Sequence, residues 1–419
     1  MQKRFVTFGL AVSAASCLLA TDIYNQTDLA NIAGNLNGDY VLKANISLSG
    51  TWTPLGDAST PFTGTFDGGS YTISGLSVSS GSDIGLFGVT DGASITKLIV
   101  TGASVCNYTG SNVGILAGQA LSTAITHVEV NGTVCGLDQV GGLVGYGYDG
   151  SVTNTASYAY VDVNGSGYNI GGLVGEANLT VVSKSFVEAD VIAPSAKLVG
   201  GVVGYVTGAS AYGNYFKGDI NATGNFGGLV GKMEYGSVYD SYSQFGFVVG
   251  AGKGAGVVGA LYESGSQVYN TYAKGSEIQG YEAGGTLGVV DTANANTSTV
   301  TCNAAIVTHF TGVKNPLKPG NSTLFNVFNN ANSATALYGQ TNFSINSPYS
   351  SDYNDTVQLT DVYSSGYDGL NAFVVQANYA YMSLFNTSMA ACGFNSNSAW
   401  TTATYLAPFP TLVDVGPTF

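Results

Sequence analysis

Two histidines, five cysteines and scattered carboxylates are the residues that catalysis or metal binding would have to use. They do not assemble into a familiar pattern. His127 sits in Ile125-Thr126-His127-Val128 and His309 lies beside Phe310, both in β-like text. Neither an HExxH zinc helix nor a GxSxG nucleophile turn occurs. Asp138, Asp149, Asp162, Asp190, Asp219 and Asp240 are spread through different phases of the chain and mark no acid–base pair. Gly145-Tyr146-Gly147-Tyr148-Asp149-Gly150 resembles a calcium-binding turn, but it stands without tandem partners. These residues imply no enzyme, no cofactor and no metal.

Charge excludes further classes. The 419 residues hold 12 Lys+Arg against 26 Asp+Glu, and no Arg follows Arg4. A nucleic-acid reader needs a basic footprint, and forked recognition of phosphate or carboxylate needs Arg. Nucleic acid is therefore not an expected partner, and lyase chemistry on acidic polysaccharides is disfavoured.

The positions that invite modification are asparagines. Asn-x-Ser/Thr occurs at Asn25, Asn45, Asn107, Asn131, Asn164, Asn178, Asn221, Asn296, Asn321, Asn342, Asn354 and Asn386. Such sites matter only in a secreted chain. Residues 1–20 read as a signal peptide, with Lys3-Arg4, an apolar run from Phe5 to Leu19, and Ala20 at the cleavage point. No second long apolar run follows, so no transmembrane segment is expected beyond it. The expected location is secreted or cell surface.

What would position these residues is a repeat. A Gly-apolar-apolar-Gly core recurs at Gly85–Gly88, Gly142–Gly145, Gly172–Gly175, Gly201–Gly204, Gly228–Gly231 and Gly256–Gly259. Degenerate copies end at Ala117 and Gly288. The last positions are 27 to 30 residues apart. Each unit reads as a short strand ending at the last Gly, then a turn, a polar stretch closing on an aromatic, and a β-branched run. About 28 residues cannot bury an apolar face alone, whereas stacked coils can. The expected fold is all-β, a right-handed parallel β-helix of about 28–29 residues per coil. The many Gly then mark corners and close packing between coils.

Boundaries follow. Residues 21–80 form an N-terminal cap and the first coils, with Thr27 expected to N-cap a short helix through Ala33. Residues 81–302 hold the regular repeats, and 303–419 form irregular coils and a C-terminal cap. Cys106 and Cys135 share one phase of successive coils, about 4.8 Å apart, which predicts a disulfide. The alternative is a pair of buried thiols. Cys302 and Cys392 form a possible second pair by elimination. Phe186, Tyr215 and Tyr242 share a phase, with Tyr158 and Tyr272 two residues later. Such rings either stack on one another or offer a flat surface to sugars.

The Gly-Leu-x-Gly cores resemble the GLUG repeats of bacterial and protist surface proteins, which include adhesins and non-catalytic regions of some immunoglobulin-A peptidases. Asp28-Leu29-Ala30-Asn31-Ile32-Ala33, Gly64-Thr65-Phe66-Asp67-Gly68-Gly69, Tyr71-Thr72-Ile73-Ser74-Gly75-Leu76 and Phe409-Pro410-Thr411-Leu412 resemble that family's opening and close. The resemblance implies a right-handed β-helix at a cell surface and no reaction. The expected function is a secreted, non-enzymatic surface, matrix or adhesive solenoid, with surface glycans or other surface and matrix proteins as partners. The alternative is a β-helix that binds or cleaves a neutral glycan.

Overall fold

A computed structural model describes residues 20–290 apart from residue 264, and the short stretches 299–301, 304–312, 342–346 and 372–376. Side chains are described up to 288. Residues 1–19 of the expected signal peptide, Cys302, Cys392, Asn296, Asn321, Asn354 and Asn386 lie outside the described residues.

The chain winds as a parallel β-solenoid, as the repeat predicts. One sheet stacks eight strands: Phe87–Asp91, Ala117–Leu121, Val144–Tyr148, Val174–Asn178, Val203–Thr207, Val230–Glu234, Val258–Tyr262 and Leu287–Val290. We call it the glycine sheet. Ala117 pairs with Val144 and Val144 with Val174, so successive coils differ by 27 and 30 residues yet stay in register. A second, long sheet follows in each coil. It has two arms, seen in Ser151–Thr153 and Ala156–Asp162 and in their counterparts Ser210–Tyr212 and Tyr215–Lys217. A third sheet of seven short strands, from Ser111–Val113 to Glu282–Gly284, closes the coil.

The corners are columns of left-handed residues. Lys97, His127, Asn154, Lys184, Gly213 and Asp240 all have φ between 47° and 64°, and they hinge the two arms. A second column, Gly92, Ser122, Asp149, Leu179, Gly208, Tyr235 and Glu263, joins the glycine sheet to the first arm. The conformation costs roughly 1–2 kcal/mol for an ordinary L-residue and little for Gly, Asn or Asp. His127 and Asp149 are thus explained as corner residues.

The glycine motif does not end a strand, contrary to expectation. Gly142-Leu143 is a bend, and the strand starts at Val144 and continues beyond Gly145. Leu143 donates its N–H to Leu173 O of the next coil, so the ladder passes through the bend. Gly142 and Gly145 have no positive φ; they are needed for approach. A Cβ on Gly142 would strike Gly172 O, and one on Gly145 would strike the Val113 backbone. In the degenerate second copy Ala117 pairs with Phe87, so Gly118, not Ala117, matches Gly88.

The interior is one continuous apolar core. Phe62 and Phe87 pack with centroids 4.9 Å apart and planes tilted by 41°, and Trp52 donates its indole N–H to Leu86 O at 2.9 Å. Behind the corner column runs a buried polar ladder of Thr155, Ser185, Asn214, Ser241 and Thr271. Thr155 N donates to Ser185 Oγ, Ser185 N to Asn214 Oδ1 and Asn214 N to Ser241 Oγ, at 3.0–3.1 Å. Buried polar groups so paired avoid the desolvation penalty of unmade bonds. At the N-terminus the helix Gln26–Asn31 buries Leu29. Its N-cap is Asn25, not Thr27: Asn25 Oδ1 accepts from Thr27 N and Asp28 N. Thr27 lies inside the first turn, where it donates rather than caps.

Cys106 and Cys135 are bonded, with Cα atoms 4.3 Å apart in register. Counted from Gly88 and Gly118 they lie 18 and 17 residues on, a mismatch of one. A register shift between Val130 and Gly132, next to the left-handed Gly102 (φ 60°), absorbs it. Past 303 the parallel stacking continues, with Asn342–Asn346 pairing on Ala304–Gly312 and Ala372–Gln376 on Asn342–Asn346.

Candidate functional site

The aromatic phases resolve into two ladders on the outside of the long sheet. Tyr215, Tyr242 and Tyr272 stack with centroids 4.3 and 4.9 Å apart. Tyr272 joins this column because two extra residues in its preceding turn account for its later phase. Tyr158 does not join; it lies edge-on to Phe186 at 5.2 Å. Across the corner a second ladder, Tyr212, Tyr239 and Tyr269, stacks at 4.8 and 4.7 Å with planes within 3° and 4°. The sequence held its signal, a tyrosine three residues before each rung of the first ladder.

Stacking decides what these ladders offer. Each inner ring has both faces covered by its neighbours. A sugar needs a free face to stack on, so inner rungs can present only edges and hydroxyls. Tyr242 and Tyr272 are buried besides. Burial raises both phenols, and lifts Tyr215 to about 12 with help from the Glu188 charge. The ladders therefore clamp the coils together and are a poor sugar platform.

A second cluster lies on the glycine sheet, where Tyr146, Glu176, Tyr205 and Lys232 occupy one column of successive coils. Glu176 is half-buried, and its Oε2 accepts from Asn169 Nδ2 at 2.7 Å and Gln139 Nε2 at 3.2 Å. Burial pushes its carboxyl up, because the amides give hydrogen bonds but no countercharge. Asn169 Oδ1, beside it, is buried with no hydrogen-bond partner among the described residues. One strand pair away, Glu234 accepts from Tyr205 Oη and pairs with Lys232 at 2.5 Å. Burial works to raise Glu234, but the Lys232 and Tyr205 hydrogen bonds and the Lys232 charge together lower it. The Lys232 ammonium also lies 5.3 and 4.9 Å from the ring centres of Tyr205 and Tyr262, a cation–π arrangement. Tyr148 and Tyr235, at 40% and 58% exposure, border the cluster.

The remaining candidates fall into structural places. The repeat glycines pack coil on coil, and His127 Nδ1 pairs with Thr126 Oγ1 at 3.0 Å. His309 lies in the strand Ala304–Gly312. Asp190 and Asp219 are spent on backbone amides: Asp190 accepts from Asp219 N, and Asp219 from Gly246 N and Phe247 N. Asn25, Asn45, Asn131 and Asn164 are exposed, whereas Asn107, Asn178 and Asn221 are half-buried. Asn342 begins a strand. Among the described residues no helix is long and apolar enough to cross a membrane.

Comparison with known proteins places the chain beside parts of much longer relatives without assigning it to a family. No protein-family model matches it. It is 35% identical over 211 residues to halomucin of Haloquadratum walsbyi, a match covering 44% of this chain and 2% of halomucin. It is 30% identical over 236 residues to an immunoglobulin A1 protease of Streptococcus sanguinis, covering 51% of this chain and 12% of that protein. The chain thus matches only a small part of these relatives' lengths. A solved IgA1 protease aligns at TM-score 0.36 and 14% identity, over 88% of this chain and 24% of that one. A Bacteroides ovatus structure assigned to the same class aligns at TM-score 0.32 and 16% identity, over 94% and 92%. The two structural scores are too low to add to the argument.

Proposed function

We propose that this protein is an extracellular β-solenoid of the GLUG-repeat type, serving without catalysis as a surface, matrix or adhesive element. One observation carries the reading: a single core runs through all the described coils, and the outer side chains bond mainly to the coils above and below. Glu188–Lys217, Thr153–Ser183 and both tyrosine ladders are such contacts between coils. A surface spent on holding its own stack suits a stiff spacer better than a reaction site. The partial matches to halomucin and to immunoglobulin A1 proteases agree with an extracellular setting. The tagged protein is expected outside cells, accessible to added protease on unpermeabilised cells; retention in the cytosol would sink the reading. Incubation with immunoglobulin A1 and with neutral oligosaccharides is expected to leave both intact, and turnover of either would overturn the non-catalytic part.

A second reading, recognition of a neutral glycan, is favoured by the Tyr–Glu–Lys cluster on the glycine sheet. There, exposed Tyr148 and Tyr235 flank hydrogen-bonding carboxylates. A glycan array probed with the mature protein tests it, with Glu176→Gln and Tyr148→Ala as controls. Absence of binding to every glycan would remove this reading and leave the first in place.

A further inference from the structure

The sequon asparagines are not spread evenly around the coil. Asn45 leads into Ile46–Ser47, Asn107 follows Ser94–Cys106, and Asn131 lies within Ala124–Cys135 opposite Tyr158. Asn164 follows Ala156–Asp162, and Asn221 lies within Ile220–Ala222. All five belong to the second arm of the long sheet or to its trailing end. The glycine sheet holds one sequon, Asn178, and Asn25 sits on the cap helix. Among the described residues the seven-stranded sheet holds none.

Their amides also differ in what they are doing. An N-linked glycan attaches to Nδ2. Asn45 uses its other atom: Oδ1 accepts from Thr72 N at 2.9 Å. Asn131 and Asn164 are exposed, and the Asn164 amide donates only to a phenol, Tyr108, that is itself at the surface and so is readily given up. Asn107, by contrast, is half-buried and commits Nδ2 to Gly81 O at 2.7 Å. Asn178 is half-buried against Tyr146, and the hydroxyl residue of its sequon, Thr180, is 2% exposed and bonded to Gly150 N.

We propose that N-glycans on this protein form one stripe, at Asn45, Asn131 and Asn164 along the second arm, and that the glycine sheet stays bare. Transfer forms a bond between Asn Nδ2 and the sugar C1 and breaks the bond from C1 to the oxygen of a lipid diphosphate donor. The amide loses a proton, and the lipid diphosphate leaves. A chain modified at Asn178 or Asn107 would have to fold with the glycan forced into a packed site, so such chains are depleted from the folded product. The stripe deepens the extracellular reading and leaves the Tyr–Glu–Lys cluster uncovered.

The native host's use of the stripe rests on the extracellular reading, but the sites are testable without it. The full mature chain is secreted from a eukaryotic cell line behind a heterologous leader. Enzymatic release of glycans in heavy-oxygen water then marks each occupied Asn for peptide mapping. Asn45, Asn131 and Asn164 are expected to be occupied, and Asn107 and Asn178 empty. Asn131→Gln and Asn164→Gln should each remove one glycan's worth of mass while the protein is still secreted; Asn178→Gln should change nothing. Occupied Asn178, or empty Asn131 and Asn164 on secreted protein, would overturn the stripe. If the stripe is found while the native protein stays cytosolic, the extracellular reading fails and the site assignment stands.

Discussion

Two residues sit in conformations or environments that the surrounding coil imposes on them. Glu176 is held by amides without a cation, so folding favours its neutral form. Its folded pKa is raised, so its contribution to stability is full below the ordinary carboxylate range and is lost as pH rises through the raised value. Glu176→Gln keeps an acceptor for Asn169 and Gln139 and removes the charge. The variant is expected to be more stable than the parent at pH 7 and indistinguishable from it at pH 4, by urea midpoints at both. Leu179 is a strained bulky residue, with φ 54° and 46% exposure. Leu179→Asn should relieve the strain and raise stability by about 1 kcal/mol in the same assay. Neither environment is visible in the sequence, because the partners of Glu176 come from other strands and a leucine gives no warning of a left-handed corner. The repeat glycines were legible, although the chemistry they serve is contact rather than turning.

At the scale of the coil, the glycine bend and the disulfide do different work. The bend needs absent side chains. Gly145→Ala must displace backbone of the neighbouring strand and should cost about 1–3 kcal/mol, as overpacked cores do. Gly34→Ala meets nothing within 4 Å and should be close to neutral. Equal effects on the thermal midpoints would show that the close approach at Gly145 is not limiting. The disulfide closes a 29-residue separation. Cys106→Ser with Cys135→Ser should lower stability by about 2–4 kcal/mol, read from denaturation without reductant. The cysteine pairing was legible because both residues recur at nearly one period. The true anchor at Gly118 was not, since an inserted residue and its compensating bulge cancel over one coil and leave the count intact. The expected cap falls two residues late for a similar reason: Asn25 and Thr27 are both good capping types, and only the bonds to Thr27 N and Asp28 N choose between them.

The whole molecule inherits its alkaline behaviour from the buried tyrosines. Burial pushes the Tyr215 phenol up to about 12, and it raises Tyr242 and Tyr272 as well. Unfolded phenols ionise near pH 10. Below pH 10 the buried ladder contributes fully; between about pH 10 and 12 the unfolded state gains from ionisation and the folded state does not, so stability falls. Denaturation midpoints should therefore drop across that window, and less steeply in Tyr242→Phe. A midpoint unchanged from pH 9 to 12 would contradict the burial of these rings. The overall architecture was the most legible property of all, because eight copies at one period leave stacking as the way to bury an apolar face. The candidate site was the least legible. Its column of Tyr146, Glu176, Tyr205 and Lys232 repeats no residue type on adjacent rungs, and only register brings it together.

One column on the first arm changes character midway. Asp67, Thr96, Thr126, Thr153 and Ser183 are followed, rung by rung, by Tyr212, Tyr239 and Tyr269. Parallel winding already makes the two ends unlike; this column makes the flank unlike too, lined by short polar side chains in one half and edged by phenols in the other. The solenoid is thus an arrow rather than a plain rod. Anything that settles along its length meets a compass direction and must choose which way to lie.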